Sequence, residues 1–270
     1  MAHKNKSNYS SYKNTGLKTN PKPNPANLKS NVHKKPTEIY PLEEANDRLY
    51  DLFRNHDASD INHDLRRKLA RFYQVLMENQ NKENFTRLLT LKDIGLKHFL
   101  DCLLVTTHTE LQFPLLDLGT GPGFPGIPIQ LKYPDQKVIL AEGVQKRVEF
   151  LKKARHELDL KNMDIVGKNI NVHFVYPVQG VITRAVEEIA NTMKNVINSL
   201  QVGGRIYFMK GPNVDPEMER IPEDLYDYYK FDQDIAYDIP KTTHKRRLVI
   251  YKKIAMPKLK DWNEDDDETP

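Results

Sequence analysis

Apolar residues recur at two different spacings along the chain, and the spacing changes near residue 110. Between residues 42 and 105 they recur every three or four positions, the period of a buried helix face. One such stripe comprises Leu65, Leu69, Phe72, Tyr73, Leu76 and Met77. We expect Asp60 to cap the helix that carries this stripe. The first part of the chain is therefore predicted to be helical.

Short apolar runs alternate with helical stretches in the second part. Runs ending near Leu116 and at 138–143, 163–166, 178–183 and 205–210 predict strands. Helices are predicted over 144–160 and 186–200, the second closed by Gly203 and Gly204. Runs 230–239 and 247–254 are separated only by PKTTHKR, which predicts an antiparallel pair of strands at one edge of the sheet.

A glycine-rich loop follows the first of these strands in LLDLGTGPGFPG, residues 115–126. Asp117, Gly119, Gly121 and Gly123 stand at alternate positions. Glycine has no Cβ, so the backbone can turn tightly and a ligand can lie against it. The next strand ends in Glu142, an acid that can take a ribose hydroxyl pair. The pattern predicts a nucleoside-binding half of a doubly wound sheet.

The identity of the nucleoside depends on the acid before the loop. The segment 121–126 fits the GxGxxG pattern of dinucleotide sites, which alone is weak. Asp117, two residues before the first glycine, instead favours S-adenosylmethionine, which carries a sulfonium and an ammonium. A parallel sheet closed by a reversed hairpin is also the topology of methyltransferases that use this cofactor. A dinucleotide site and a tight turn without a ligand are the alternatives.

The predicted fold class is accordingly α/β: a Rossmann-like, doubly wound sheet of an S-adenosylmethionine-dependent methyltransferase, with an antiparallel C-terminal hairpin and an N-terminal helical cap. Residues 1–37 hold eight lysines and no acid, and residues 261–270 hold six acids and no base. We expect a disordered basic tail over 1–37, a cap over 38–110, the methyltransferase domain over 111–256 and an acidic disordered tail over 257–270. The basic tail is either a solvated extension or an arm that contacts nucleic-acid phosphates.

Several classes of protein lack support in the sequence. Cys102 is the only cysteine, which excludes an internal disulfide and a cysteine zinc site. The chain has no run of 18 apolar residues and no apolar segment near its start, so we expect no membrane span and a cytoplasmic location. P-loop, GxSxG and metal-binding histidine spacings are absent.

The chemistry that remains is methyl transfer without a general base. The [DNS]PP[YFW] motif of base amino-group methylases is missing after the fourth strand, and Cys102 lies outside the predicted strands. Guanine N7 is a nucleophile with a free lone pair at neutral pH. Catalysis would then consist of positioning, which can contribute roughly 7–11 kcal/mol, and no catalytic residue is predicted.

The stretch LDLGTGPGFPGIPIQLKYPDQKVILAEGVQKRVEFLKKARHELDLKN, followed by VITRA, MKGP and KRRLVIYKK, resembles the bacterial RsmG (GidB) family. The upstream segments NFT and KHFLDCLL are also similar, and the resemblance covers roughly residues 45–254. Members of this family are 16S ribosomal RNA guanine-N7 methyltransferases. The resemblance therefore implies the same activity, with S-adenosylmethionine as cofactor and 16S ribosomal RNA or the small ribosomal subunit as partner.

The resemblance also implies roles for individual residues. Besides Asp117, which the loop pattern itself suggests, the cofactor site would include Gly119, Gly121, Gly123, Phe124, Glu142, Asn169, Ile170 and Arg184, with Glu142 at the ribose and Asn169 and Ile170 beside the adenine. Contacts to RNA phosphates would come from Lys146, Arg147, Lys210 and Arg246. The family usually has an acid where Ile170 stands.

We expect a monomer that uses no metal. The alternatives are a methyltransferase of another RNA or of a small molecule, and a non-catalytic RNA- or ribosome-binding protein with the same fold. A titration with S-adenosylmethionine distinguishes an enzyme from a binder that has lost the cofactor site.

Overall fold

The computed structural model describes residues 35, 36, 38–80, 84–184 and 187–257. The predicted basic tail, apart from Lys35 and Pro36, and the acidic tail beyond Pro257 lie outside the described residues. The predicted boundaries between tails, cap and methyltransferase domain stay predictions.

Helices occupy the N-terminal part of the described chain. Helix α1 spans Leu42–Asn55 and α2 spans His63–Asn79. A further helical run comprises α3 (Leu91–Ile94), a π-helical segment (Gly95–Leu100) and α4 (Asp101–His108). On α2 the predicted apolar stripe is buried from Leu69 to Met77, so the helical period correctly identified the packed face.

The start of α2 differs from the prediction. The side chain of Asn62, not Asp60, accepts a hydrogen bond from the backbone N–H of Leu65 (2.9 Å). Because the helix begins at His63, Asn62 holds the cap position and Asp60 lies two residues too early. The predicted cap at Asp60 is therefore wrong.

Within the described residues, seven strands form one sheet in the order β3-β2-β1-β4-β5-β7-β6. The strands are β1 (Leu115–Leu118), β2 (Val138–Ala141), β3 (Met163–Val166), β4 (Val178–Arg184), β5 (Leu200–Lys210), β6 (Tyr229–Asp238) and β7 (Lys245–Lys253). Strands β1 to β5 are parallel, and β7 is antiparallel to both β5 and β6. The predicted parallel sheet with an antiparallel C-terminal hairpin is confirmed.

Helices cover both faces of the sheet. The N-terminal helices, α5 (Gly126–Lys132) and α6 (Gln145–Glu157) contribute to the apolar core on one face, and α7 (Ile189–Asn195) packs on the other. Short helical turns at α8 (Asp215–Glu219) and at Glu223–Asp227 connect β5 to β6. The strand order reverses between β1 and β4, and ligands of such sheets bind outside the carboxyl ends of the strands at that point.

The segment around Gly203 and Gly204 also differs from the prediction. Helix α7 ends at Asn195, and both glycines lie inside β5, which starts at Leu200. Gly203 has a φ of +89°, and a Cβ on Gly204 would lie 2.6 Å from the backbone oxygen of Gln179. These glycines therefore allow an irregular strand to approach its neighbour closely and do not terminate a helix.

Candidate active site

The glycine loop joins β1 to α5 at the carboxyl end of the sheet. Gly119, Gly121 and Gly123 all have positive φ angles (68°, 59° and 104°), which other residues rarely adopt. A Cβ on Gly123 would lie 2.4 Å from Cδ1 of Ile127, so this glycine is needed for packing against α5. A Cβ on Gly121 would meet nothing within 4 Å. The backbone at Gly121 thus borders open space, as a cradle for a ligand requires.

Asp117 lies beneath this loop and is fully buried. Its Oδ2 accepts hydrogen bonds from the Thr120 hydroxyl (2.6 Å) and from the Gly126 backbone N–H (2.7 Å). Its Oδ1 is a buried acceptor without a partner among the described residues. Burial raises the pKa of Asp117 to about 7, against the lowering effect of these hydrogen bonds. Asp117 therefore holds both ends of the loop, and its predicted contact with a cationic ligand stays a prediction.

Glu142 connects the tip of β2 to the glycine loop. Its buried carboxylate accepts hydrogen bonds from the backbone N–H groups of Gly121 (2.9 Å) and Val144 (2.8 Å). A guanidinium nitrogen of Arg147 lies 3.7 Å from the same carboxylate. Because two carboxylate oxygens offer about four acceptor positions, these contacts leave capacity for the ribose hydroxyls that the sequence predicts.

A cavity of about 350 Å³ lies beside the glycine loop. We call it the loop cavity; it is lined by Leu118, Gly119, Ala141, Lys168, Asn169, Ile170, Glu187 and Asn195. It brings together three predicted cofactor residues, Gly119, Asn169 and Ile170. Asn169 lies over Gly143, where an added Cβ would be 2.1 Å from its Oδ1. The volume falls in the range of small-molecule sites, about 300–1,000 Å³.

A second cavity, of about 320 Å³, lies at the tips of β4 and β5. We call it the basic cavity; it is lined by Lys97, His98, Asp101, Arg184, Met209, Lys210, Gly211 and Arg246. Three predicted residues, Arg184, Lys210 and Arg246, meet here although they lie far apart in sequence. The two arginines share one buried acid: Asp101 accepts from Nε of Arg246 (2.9 Å), and a guanidinium nitrogen of Arg184 lies 3.7 Å away.

Lys210 is engaged within the protein. Its buried ammonium donates to the Glu187 carbonyl (2.8 Å) and to a carboxylate oxygen of Glu217 (2.7 Å). Two of its three donors are therefore used internally. Lys146 and Arg147 lie in the first turn of α6, and neither lines the loop cavity or the basic cavity.

His98 is a residue of the site that the sequence reasoning missed. Its ring stacks on Phe124 of the glycine loop, with centroids 4.2 Å apart and planes inclined by 15°. Its Nδ1 lies 2.9 Å from a guanidinium nitrogen of Arg184, and its Nε2 lies 3.0 Å from the hydroxyl of Thr86. A guanidinium has only donors, so Nδ1 accepts and Nε2–H donates to Thr86.

The environment keeps this imidazole neutral. Burial, and next the charge of Arg184, lower the pKa of His98 to about 3. Arg184 also donates to the Lys97 carbonyl (3.2 Å) and lies over the Phe124 ring, 5.4 Å from its centroid. His98 thus joins the glycine loop, which borders the loop cavity, to the tip of β4, which lines the basic cavity. In the sequence, only the similarity of the KHFLDCLL segment pointed to this residue.

Within the described part of the chain, no three His, Cys, Asp or Glu side chains form a group that could hold a metal ion. The described helices include none that is long and apolar enough to cross a membrane.

The fold and the glycine loop define the class of protein. A doubly wound sheet with an antiparallel last hairpin, a glycine loop bordering open space and an acid at the tip of β2 are the features of an S-adenosylmethionine-dependent methyltransferase. The open space at Gly121 and the unpaired Oδ1 of Asp117 are compatible with a bound ligand that carries positive charge.

The chain belongs to the GidB family, described as rRNA small subunit methyltransferase G, whose family model matches residues 65–250. It is 59% identical over 232 residues to ribosomal RNA small subunit methyltransferase G 2 of Bdellovibrio bacteriovorus, covering 86% of this chain and 91% of that protein. A protein with the same description from Syntrophobacter fumaroxidans is 40% identical over 190 residues, covering 70% of this chain and 38% of that protein. The predicted family, enzyme class and cofactor are confirmed.

Proposed function

We propose that this enzyme methylates N7 of one guanine in the 16S RNA of the small ribosomal subunit. The descriptions of its relatives support ribosomal RNA of the small subunit as the substrate. The observation that carries the choice of atom is the chemistry of the basic cavity, whose described lining offers no free proton acceptor near neutral pH.

Each group in that cavity that could act as a base is already engaged. The acceptor nitrogen of His98 receives a hydrogen bond from Arg184, and the pKa of about 3 makes this neutral imidazole too weak a base to take up a proton at pH 7. The carboxylate of Asp101 is paired with Arg246. Guanine N7 needs no deprotonation, because its lone pair is free at neutral pH. The cavity therefore suits this nucleophile better than an exocyclic amine or a hydroxyl.

S-adenosylmethionine supplies the methyl group when it is bound. The residues proposed to hold it are those of the glycine loop, with Asp117, Glu142, Asn169, Ile170 and Arg184. The protein's own contribution is to orient the guanine and exclude water, and orientation of this kind contributes roughly 7–11 kcal/mol. The contacts of His98 with the buried ring of Phe124 and with Arg184 support this positioning role.

Arg246 and Lys210 are proposed to neutralise RNA phosphates near the target base, and Lys146 and Arg147 to do so at the start of α6. Arg246 keeps a partly exposed side chain, which supports this role. For Lys210 the contact would use its third N–H donor or replace the Glu217 carboxylate by a phosphate.

We further propose that the enzyme acts as a monomer. The proposed ribosomal substrate supports a cytoplasmic location. Light scattering of the purified protein tests the first point.

The decisive experiment deletes the gene and maps N7-methylguanine in the host's small-subunit RNA by borohydride–aniline cleavage. We expect one cleavage site to disappear and to return when the gene is restored. If every site persists in the deletion strain, the proposed substrate is wrong, whereas binding of S-adenosylmethionine can still be measured by titration.

A further inference from the structure

Basic side chains are concentrated on helix α6 and the turn that follows it. Residues 145–161 contain six basic and three acidic residues, so this segment alone carries a net charge of +3. The whole chain, with both charged tails, carries only +4. A local excess of positive charge along one helix is the electrostatic footprint of a nucleic-acid contact.

Two of these bases have no counter-charge. Among the described residues, neither Lys152 nor Arg155 forms an ion pair, and both are exposed. By contrast, Glu157 is paired with Lys153 (3.4 Å) and with Arg71 from α2. Ion pairs within the protein therefore leave the positive charge of Lys152 and Arg155 available to a partner.

The end of α6 shapes these bases into a concave surface. A cleft of about 370 Å³ is lined by Lys152, Arg155, His156, Asp159, Leu160 and Lys161. Asp159 has a φ of +50°, and the backbone N–H of Leu160 donates to the Arg155 carbonyl (3.0 Å). The chain thereby folds back on the helix end, so that Lys161 joins the two helical bases. The acid in the cleft, Asp159, is highly exposed and lies 3.4 Å from Lys161.

We propose that this cleft binds backbone phosphates of the RNA substrate at a distance from the site of methyl transfer. Helix α6 begins at Gln145, beside the tip of β2, and its 13 residues span about 20 Å at 1.5 Å per residue. The cleft lies at the far end. It would contact a part of the RNA remote from the target base, and it would contribute affinity without reading sequence. The inference rests on the proposed function, since it takes RNA as the substrate.

The test compares two double variants of the full chain. The cleft variant, Lys152→Glu with Arg155→Glu, reverses two charges in the cleft. The control variant, Lys230→Glu with Lys252→Glu, reverses two exposed charges on β6 and β7, where these residues are register neighbours at the opposite edge of the sheet. Small ribosomal subunits and their naked 16S RNA, both from the deletion strain, are methylated with tritiated S-adenosylmethionine at several salt concentrations. Filter binding of the same RNA is measured in parallel without cofactor.

For the cleft variant we expect KM for RNA to rise roughly tenfold at physiological salt, with kcat at saturating RNA within about twofold. The slope of log Kd against log salt should become less steep by about 2, one for each lost phosphate contact. The control variant should match the wild type. The inference is overturned if the two variants bind RNA alike. Filter binding needs no methyl transfer, so it tests the RNA contact of the cleft independently of activity. If the wild type methylates neither the subunits nor the naked 16S RNA, the proposed function is refuted, and filter binding still decides whether the cleft binds RNA.

Discussion

Gly121 offers a test of the cofactor site in which fold stability and ligand binding can be separated. Gly121→Val places a β-branched side chain at a φ of +59°, which costs about 1–3 kcal/mol of stability. No protein atom lies within 4 Å of the new Cβ, so no clash adds to this cost. The side chain would instead project into the space proposed for S-adenosylmethionine. A steric conflict of about 1–3 kcal/mol there corresponds to an affinity about 5- to 150-fold weaker.

Gly203→Val is the matched control. Gly203 also has a positive φ, of +89°, and an added Cβ there also meets nothing within 4 Å, but it lies in β5 and not in the glycine loop. Both variants should lose a similar amount of stability, about 2–12 °C in Tm. Calorimetric titration with S-adenosylmethionine should show weaker binding for Gly121→Val alone. If both variants bind the cofactor like the wild type, the loop at Gly121 is not part of the cofactor site.

Two further predictions concern buried groups. His98 accepts a hydrogen bond from Arg184 through Nδ1, and the side-chain oxygen of His98→Asn should keep that acceptor. We therefore expect kcat to fall less in His98→Asn than in His98→Ala, in which kcat should fall by up to about a hundredfold. The pH–rate profile should show no inflection from His98 between pH 5.5 and 8, and an inflection near 6.5 that disappears in His98→Asn would refute a purely positioning role. Burial lowers the pKa of Lys253 to about 7 from 10.5, so the folded state loses this proton before the unfolded state and wild-type stability rises from pH 7 to 10. The free energy of unfolding of the wild type relative to that of Lys253→Met should therefore rise by about 3–4 kcal/mol from pH 7 to 10 in urea titrations, and parallel curves for the two proteins would contradict the shift.

The sequence predicted those parts of the fold that depend on local pattern. The predicted and observed bounds of strand β3 agree, because an apolar run between turns that is too short for a helix predicts a strand. The pair Gly203 and Gly204 was misassigned because glycine serves equally at a helix end and at a close approach between strands. Only the neighbouring strand, with the Gln179 carbonyl 2.6 Å from a Cβ on Gly204, decides between these functions. The π-helical segment at Gly95–Leu100 had no local pattern to predict it.

The candidate site shows the same limit for a different reason. Gly121 and Glu142 were chosen for their residue types, yet the hydrogen bond that joins them depends on the parallel pairing of β1 with β2. Lys210 was chosen for its charge at a strand tip, but its availability is set by Glu217, which a helical turn brings to 2.7 Å. His98 has no exposed charge, and only the resemblance of the KHFLDCLL segment pointed to it. Its place between Phe124 and Arg184 results from packing the N-terminal helices against the sheet, so this group of three side chains is a tertiary feature that one sequence alone does not encode locally.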